Sequence, residues 1–185
     1  MRKGLYIICV ICMLHCVKLT AYADEGFSKF LDDIDIPKIE CESHDIPSYS
    51  GFKSFMSYRL FDKKTPQYKL QQSAYTDEYG FRRIDSYYMI AVGKYFDSSI
   101  GQRIDLVLKN GQVIKCVLGD VKAVEDTDET NMFSINDCLS EFLVDTRNLE
   151  KTIKKRGDVS AFPAEEWDSP VSRVIIYDEF VGEEK

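Results

Sequence analysis

The clearest pattern in the chain is a pair of apolar, β-branched runs joined by a turn sequence. The runs are Ile104 to Leu108 and Val113 to Leu118, with Asn110-Gly111 between them. Asn-Gly favours a type I′ turn, in which both central residues have positive φ, so this stretch predicts a tight β-hairpin. The second run ends at Gly119-Asp120, which places a carboxylate at the end of a strand. That position suits a functional acid, and it equally suits an ordinary turn aspartate.

The rest of the chain indicates further strands with two short helices. Strands are predicted at Tyr87 to Val92, Glu141 to Asp145 and Val171 to Tyr177. Thr65-Pro66 is typical of a helix start and predicts a helix over 67–74, and a second helix is predicted over 148–156. A long polar segment spans 121–138, and loops of this length in compact domains tend to be functional or mobile. These patterns predict a mainly β domain with short helices.

The N-terminus has the three parts of a secretory signal peptide. Arg2 and Lys3 precede the apolar run Gly4 to Leu14, and Ala21-Tyr22-Ala23 fits the small-x-small cleavage rule. We expect cleavage after Ala23 and a secreted or cell-surface protein; lipidation at Cys16 and retention as an uncleaved anchor are the alternatives. The 185 residues then divide into a signal peptide (1–23), an acidic irregular arm (24–50), a β-barrel domain (51–180) and an acidic tail (181–185).

The charge of the chain argues against nucleic-acid binding. Loss of the leader removes three basic residues and leaves 21 basic against 31 acidic ones. Such a surface repels phosphate backbones. The one dense basic cluster, at 151–156, is interpreted as the solvated C-terminal end of a helix capped by Gly157. We therefore expect no nucleic-acid partner and no membrane association after leader removal, and the oligomeric state stays open.

Three cysteines follow the leader: Cys41, Cys116 and Cys138. An odd number in an exported chain leaves one free thiol if the other two pair. A disulfide between Cys116 and Cys138 is one possibility, and three buried thiols are the other. Three cysteines without histidine partners make a poor zinc site, and the acidic spacing over 125–137 lacks the glycine and closing glutamate of a calcium loop, so no metal site is expected.

The residue types present leave carboxylate chemistry as the main catalytic option. His44 is the only histidine after the leader, which disfavours Ser-His-Asp, Cys-His and histidine-rich zinc sites. No glycine-rich phosphate loop is present, so no cofactor is expected. What remains is an Asp or Glu acting as general acid and base in a partly desolvated groove. The candidate acids are Asp120, Asp126, Asp128, Glu141 and Asp145.

Several short motifs between Ser73 and Asp145 resemble the double-psi β-barrel domains of the 3D family, and more distantly lytic transglycosylase A, rare lipoprotein A and expansins. Ala74-Tyr75-Thr76 resembles the opening AYT element, Ile90-Ala91-Val92 the IAV strand, and Gly119-Asp120 the strand end before DTGG. Ile100-Gly101 resembles the PLG turn, and Val144-Asp145 stands at the last aspartate. The mature chain also resembles uncharacterised surface proteins of Gram-positive bacteria. Departures are Gly93 in place of the first aspartate and Val121-Lys122-Ala123 in place of Thr-Gly-Gly.

The resemblance implies a six-stranded double-psi β-barrel that binds or cleaves a cell-wall glycan, either peptidoglycan or another polysaccharide. In the lytic members an aspartate protonates the glycosidic oxygen, and Asp120 is the matching position here. Tyr75 would then stack near the cut sugar. The remaining expected substrate-binding residues are Asp126, Asp128, Asn131 and Asp145. The alternative function is a non-enzymatic module, secreted or wall-associated, that binds glycan or protein.

Overall fold

The computed structural model describes residues 39–47 and 52–181. Its β-strands are β1 (Cys41–Asp45), β2 (Phe52–Ser57), β3 (Tyr75–Thr76), β4 (Arg82–Ile84), β5 (Tyr87–Val92), β6 (Gln102–Leu108), β7 (Val113–Val121), β8 (Cys138–Val144) and β9 (Val171–Phe180). Its α-helices are α1 (Pro66–Gln71) and α2 (Lys151–Arg156), and 3-10 turns lie at Tyr58–Leu60, Lys94–Phe96, Val124–Asp126 and Val159–Ala161. The chain is therefore mainly β with short helices, as the sequence predicts. The leader and the tail residues 182–185 lie outside the described residues.

The strands form one mixed sheet. Its order is β1-β9-β6-β7-β5-β4-β3, and β8 pairs with both β5 and β2. The pairs β2–β8 and β5–β7 are parallel, whereas β5–β8, β6–β7 and β6–β9 are antiparallel. The strand predicted over Tyr87 to Val92 is confirmed as β5. Because β5 pairs with both β7 and β8, it brings the ends of two strands that are distant in sequence to one place.

Strand β1 belongs to the sheet although its residues fall in the predicted irregular arm. Cys41 lies opposite Tyr177 and Asp45 opposite Arg173 in an antiparallel pair with β9. The sequence gives no alternating pattern here because most of β1 is exposed, so neither face had to be apolar. The β domain therefore begins before residue 51, and the described residues from 39 onward belong to it. The arm residues 24–38 and 48–50 lie outside the described residues.

The sheet buries apolar side chains on two faces. The larger cluster takes alternate residues of β5 to β9, including Ile90, Leu118 and Phe142, and contains Trp167. A smaller cluster on the other face contains Met89, Val117 and Leu143, which are one residue removed along the same strands. Leu70 of α1 and the turn around Tyr58 and Phe61 pack against this second cluster. Helix α1 is thereby held close to the ends of β5, β7 and β8.

The predicted hairpin is present, but its turn is of a different type. β6 and β7 pair antiparallel, with Val107 opposite Val113. Leu108 N–H donates to Gln112 O at 2.8 Å, which leaves the three-residue loop 109–111. Gly111 has a φ of 89°, whereas Asn110 is not among the positive-φ residues, so the predicted type I′ turn is wrong. A three-residue loop with glycine in the left-handed position is another common way to close a hairpin.

Both helices carry the end signals found in the sequence. The Thr65 hydroxyl accepts from Tyr68 N–H at 3.2 Å, and Pro66 occupies the first turn of α1. Gly157 ends α2 with a φ of 72°, directly after Lys154, Lys155 and Arg156. The interpretation of the basic cluster as a helix C-terminus is confirmed. Over residues 39–47 and 52–181, no helix is both long and apolar enough to cross a membrane.

The three cysteines among the described residues are not paired. Cys116 and Cys138 are buried free thiols, and Cys41 is an exposed one. Cys116 lies opposite Tyr88 on β5, while Cys138 precedes Ser140, which lies opposite Val92. The two cysteines are thus offset by roughly 20 Å along β5, far beyond the reach of a disulfide. The predicted bond between Cys116 and Cys138 is therefore absent, and burial raises the pKa of the Cys116 thiol.

Candidate functional site

Two carboxylates flank one small residue at the end of β5. Ala91 lies opposite Asp120 on β7 and opposite Glu141 on β8. Paired residues on neighbouring strands point to the same face, so both acids project from the face that Ala91 shares. Two strand spacings separate the Asp120 and Glu141 backbones by about 10 Å. The methyl group of Ala91 is too small to fill the space between the two acidic side chains, so that space stays open.

Gly119 sets the position of Asp120. The pairing of β5 with β7 shifts register here: Ile90 lies opposite Leu118, whereas the next residue, Ala91, lies opposite Asp120. A Cβ at Gly119 would lie 2.4 Å from Leu143 Cδ1 and 3.3 Å from Met89 Cε, so a larger residue would have to displace the ends of those two side chains. The extra residue moves Asp120 onto the face where Glu141 projects.

Asp120 is half-buried and held by one side chain from α1. Gln67 Nε2 donates to Asp120 Oδ1 at 2.9 Å. Burial raises the pKa of Asp120 above its ordinary value of 3.8, the hydrogen bonds from Gln67 and the Val121 backbone oppose the rise, and the charge of Glu141 adds to it. The proton is thus retained to a higher pH than on a solvated aspartate. A carboxyl with these properties is suited to donate a proton.

Lys122 lines the groove, and its hydrogen bonds link β8 to the long loop. Its ammonium group donates to Ser134 Oγ at 2.7 Å and to Cys138 O at 3.2 Å. It also forms an ion pair with Glu141, with Nζ 3.5 Å from Oε1. Lys122 is buried, while 23% of the Glu141 side chain is exposed. The buried ammonium group of Lys122 therefore holds the Glu141 carboxylate in place, while part of the Glu141 side chain stays in contact with solvent.

These residues border a groove with a volume of about 530 Å³. The full lining comprises Met56, Asp120, Val121, Lys122, Ala123, Asp126, Ser134, Ile135, Asn136 and Glu141. Three carboxylates and one ammonium give the groove a net negative charge. Ile135 is 74% exposed and stands at the rim of the long loop. The groove therefore combines acids, amide and hydroxyl groups with apolar surface, as sites for neutral polar ligands do.

The structure brings only one of the predicted substrate-binding residues to Asp120. Asp126 lines the same groove. Asp128 and Asn131 instead order the long loop. Burial works against the charge of Asp128, but hydrogen bonds from the Thr130 hydroxyl and from the backbone of Phe133 and Met132 hold its pKa below the ordinary value. The Asn131 side-chain oxygen accepts from the Thr127 hydroxyl at 3.1 Å, and the Asn131 backbone oxygen accepts from Tyr95 N–H at 3.0 Å.

Tyr75 and Asp145 lie apart from the Asp120 groove. Tyr75 is half-exposed, donates its hydroxyl to Asp85 O at 3.0 Å, and lines a second cleft with Tyr79, Arg83 and Glu165. Asp145 is buried between two guanidinium groups, Arg147 at 2.9 Å and Arg59 at 3.2 Å. The hydrogen bond from Arg147 is the main cause that holds the pKa of Asp145 well below its usual range. Neither position supports contact with a ligand beside Asp120.

Gln67 and Lys122 are site residues that the sequence analysis does not identify, and Glu141 is one of several acids that it does not select. Glu141 is the middle residue of β8 and the one residue of that strand that is not fully buried, so a single acid within an apolar run was the available signal. The one sequence feature that marked Lys122 was its place in Val121-Lys122-Ala123, where the 3D family has Thr-Gly-Gly. Gln67 is one of three glutamines at the α1 helix, with no local feature to distinguish it.

Among the described residues, no group of three or more His, Cys, Asp or Glu side chains is arranged to hold a metal ion. Comparisons with known proteins provide no relative: no protein family, no curated protein and no solved structure matches the chain.

Proposed function

We propose that this chain is an exported double-psi β-barrel protein that binds and cleaves a cell-wall glycan, peptidoglycan or another polysaccharide, with Asp120 as the general acid. The observation that carries the proposal is the carboxyl of Asp120: it is half-buried, its pKa is raised, and it opens onto a groove large enough for a sugar ring. Glycosidic oxygen is a weak base, so its protonation needs an acid that still holds its proton near the working pH.

The strand pairing supports the double-psi barrel. If β2, β5 and β6 are exchanged with β7, β8 and β9, the parallel pair β2–β8 becomes the parallel pair β7–β5. The antiparallel pairs β5–β8 and β6–β9 map onto themselves. The two strand sets are thus equivalent and interlocked, which is the arrangement expected of a double-psi β-barrel. Closure between β2 and β9 is supported by Lys53 Nζ of β2, which donates to Ser169 O just before β9 at 2.8 Å.

The chemistry of the groove favours a neutral polymer over a phosphate polymer. Asp120, Asp126 and Glu141 outnumber Lys122, so a nucleic-acid backbone would be repelled. Hydroxyl and amide groups of a sugar match the carboxylate, Ser134 and Asn136 side chains, and the apolar face of a sugar ring matches Met56 and Ile135. Export and cell-surface location remain the expectation from the leader, and sequencing of secreted material should begin at Asp24.

The experiment that tests the function compares wild type with Asp120→Asn on purified Gram-positive sacculi. We expect soluble glycan fragments from wild type and a decrease in their release on the order of 10²- to 10⁴-fold in the variant. Asn keeps the acceptor for Gln67 and removes an acid whose ionised form burial disfavours, so the variant should melt no lower than wild type at neutral pH. Glu125→Gln is the control, because Glu125 is exposed and does not line the groove.

Sedimentation of the protein with sacculi separates binding from cleavage. Wild type that sediments with sacculi yet releases no fragment indicates the non-enzymatic wall-binding module. Wild type that neither sediments nor releases fragments contradicts both forms of the proposal.

A further inference from the structure

We infer that Glu141 is a second catalytic residue, the general base that activates water, so that this groove hydrolyses its glycan with inversion of the anomeric centre. The inference rests on the proposed function. It is carried by the Asp120–Ala91–Glu141 row, in which two acids on one face of the sheet stand on either side of a buried alanine.

The separation of the two acids favours a water molecule between Glu141 and the sugar. Inverting glycosidases hold their carboxyl groups about 6.5–9.5 Å apart, whereas retaining enzymes hold them about 5–5.5 Å apart. Here the backbones are two strand spacings apart, or about 10 Å, and both side chains project into one groove. Side chains that project in parallel from one face keep about the spacing of their backbones, which fits the wider, inverting range and leaves room for a water molecule beside the sugar.

The surroundings of the two acids differ in the way their roles require. Asp120 receives a hydrogen bond from a neutral amide, Gln67, and forms no ion pair with any residue that the structure describes. Glu141 forms an ion pair with the buried ammonium group of Lys122 and keeps part of its side chain in solvent. A carboxylate that reaches solvent is in a position to accept a proton from water. Two acids in unlike environments are the usual basis for an acid and a base assignment.

The reaction consumes one water molecule per bond. The Asp120 carboxyl proton moves to the glycosidic oxygen as the bond from that oxygen to C1 breaks. Glu141 takes a proton from water while the water oxygen forms the new bond to C1 from the opposite face. Asp120 is left ionised and Glu141 protonated, and exchange of protons with solvent restores both groups.

The competing interpretation gives Glu141 only a structural part, as the counter-ion of buried Lys122. Removal of Glu141 would then lower stability without a specific effect on chemistry. A test on wild type avoids this ambiguity. Soluble glycan strands, prepared by releasing the peptides from Gram-positive sacculi, are digested in ¹⁸O-labelled water, and the fragments are analysed by mass spectrometry and by proton NMR of the new reducing ends.

We expect each new reducing end to carry one ¹⁸O atom and to appear first as the inverted anomer. Glu141→Gln should then release fragments more slowly by a factor on the order of 10² or more, while its sedimentation with sacculi stays unchanged. For Glu141→Ala, sodium azide should restore cleavage and give a glycosyl azide, because azide attacks C1 without a base. Glu125→Gln is again the charge-matched control.

Four outcomes overturn the inference in distinguishable ways. Anhydro ends without ¹⁸O mean that a sugar hydroxyl is the nucleophile, which leaves cleavage by Asp120 standing. Retained anomers, or full activity in folded Glu141→Gln, remove Glu141 from the base role. Sedimentation without cleavage leaves only the binding function, and the absence of both removes the proposed function as well.

Discussion

Replacement of Lys53 by methionine should stabilise the protein at neutral pH. Lys53 lies on β2, is 0% exposed, and its ammonium group donates to Ser169 O at 2.8 Å. Burial lowers the pKa of Lys53 to about 8 from 10.5, although Asp158 and Asp168 partly offset the effect. Methionine has a similar length and shape, carries no charge, and suits an apolar surrounding.

The size of the effect follows from the pKa. Each unit corresponds to about 1.4 kcal/mol, so the lowering from 10.5 to about 8 costs roughly 3 kcal/mol when the amine is charged. A lowered pKa means that the folded protein binds the Lys53 proton less tightly than the unfolded chain does. The cost is complete below pH 8, and it is relieved as pH rises from 8 to 10.5. Loss of the hydrogen bond to Ser169 O costs about 1 kcal/mol, so the net increase in the free energy of unfolding is about 2 kcal/mol at pH 7.

Urea unfolding of wild type and Lys53→Met between pH 6.5 and 10 measures this gain. We expect the free energy of unfolding of the variant to exceed that of wild type by about 2 kcal/mol at pH 7. The excess should shrink to about 1 kcal/mol near pH 9 and vanish near pH 10. Effects of other groups cancel in the difference, and Lys151→Met, on the exposed surface of α2, should show no such trend. A difference that stays constant across this range would refute the assignment of the cost to a buried charge.

Three further changes test a close backbone approach, the hairpin turn and the ion pairs of a buried carboxylate. Gly93→Ala places a Cβ 2.0 Å from Asn131 O, so we expect a loss of more than about 3 kcal/mol in urea unfolding and weaker sedimentation with sacculi, because the long loop must move. Gly111→Ala meets no atom within 4 Å and should cost only about 1 kcal/mol for its positive φ; an equal loss at both glycines would contradict this contrast. Asp145→Asn should cost about 1.5–3 kcal/mol at pH 7 through weaker bonds to Arg59 and Arg147. Because the pKa of Asp145 is depressed, wild type should begin to lose this advantage as pH falls below about 4, and an advantage as large at about pH 2.5 as at pH 7 would count against the ion pairs.

Features set by neighbouring residues were predictable from the sequence. The Thr65-Pro66 start of α1 and the Gly157 end of α2 depend on hydrogen bonds and φ values within one turn of helix. The hairpin was also found, but its turn type was not, because Asn-Gly fits both a two-residue and a three-residue loop. Only the observed bond from Leu108 N–H to Gln112 O separates the two.

The groove was only partly predictable because its residues meet through strand register. Asp120 and Glu141 become neighbours only when β5 lies between β7 and β8, and no local pattern specifies that order. Tyr75 was assigned to the same site through its motif, yet β3 lies at the far side of β4 and faces another cleft. The resemblance pointed to Asp120 by its position and gave no indication that Glu141 lies beside it.

The parallel pairing of β2 with β8 has a consequence for the order of folding events. Phe52 lies opposite Cys138, and Cys41 lies opposite Tyr177, so the first two described strands find their partners late in the chain. A nascent polypeptide that has emerged only as far as β7 has nothing for β2 to pair with. Such long-range closure makes the rate of folding slow, since loop entropy is lost before the contacts form. The sheet should therefore be completed only after β8 and β9 have been synthesised.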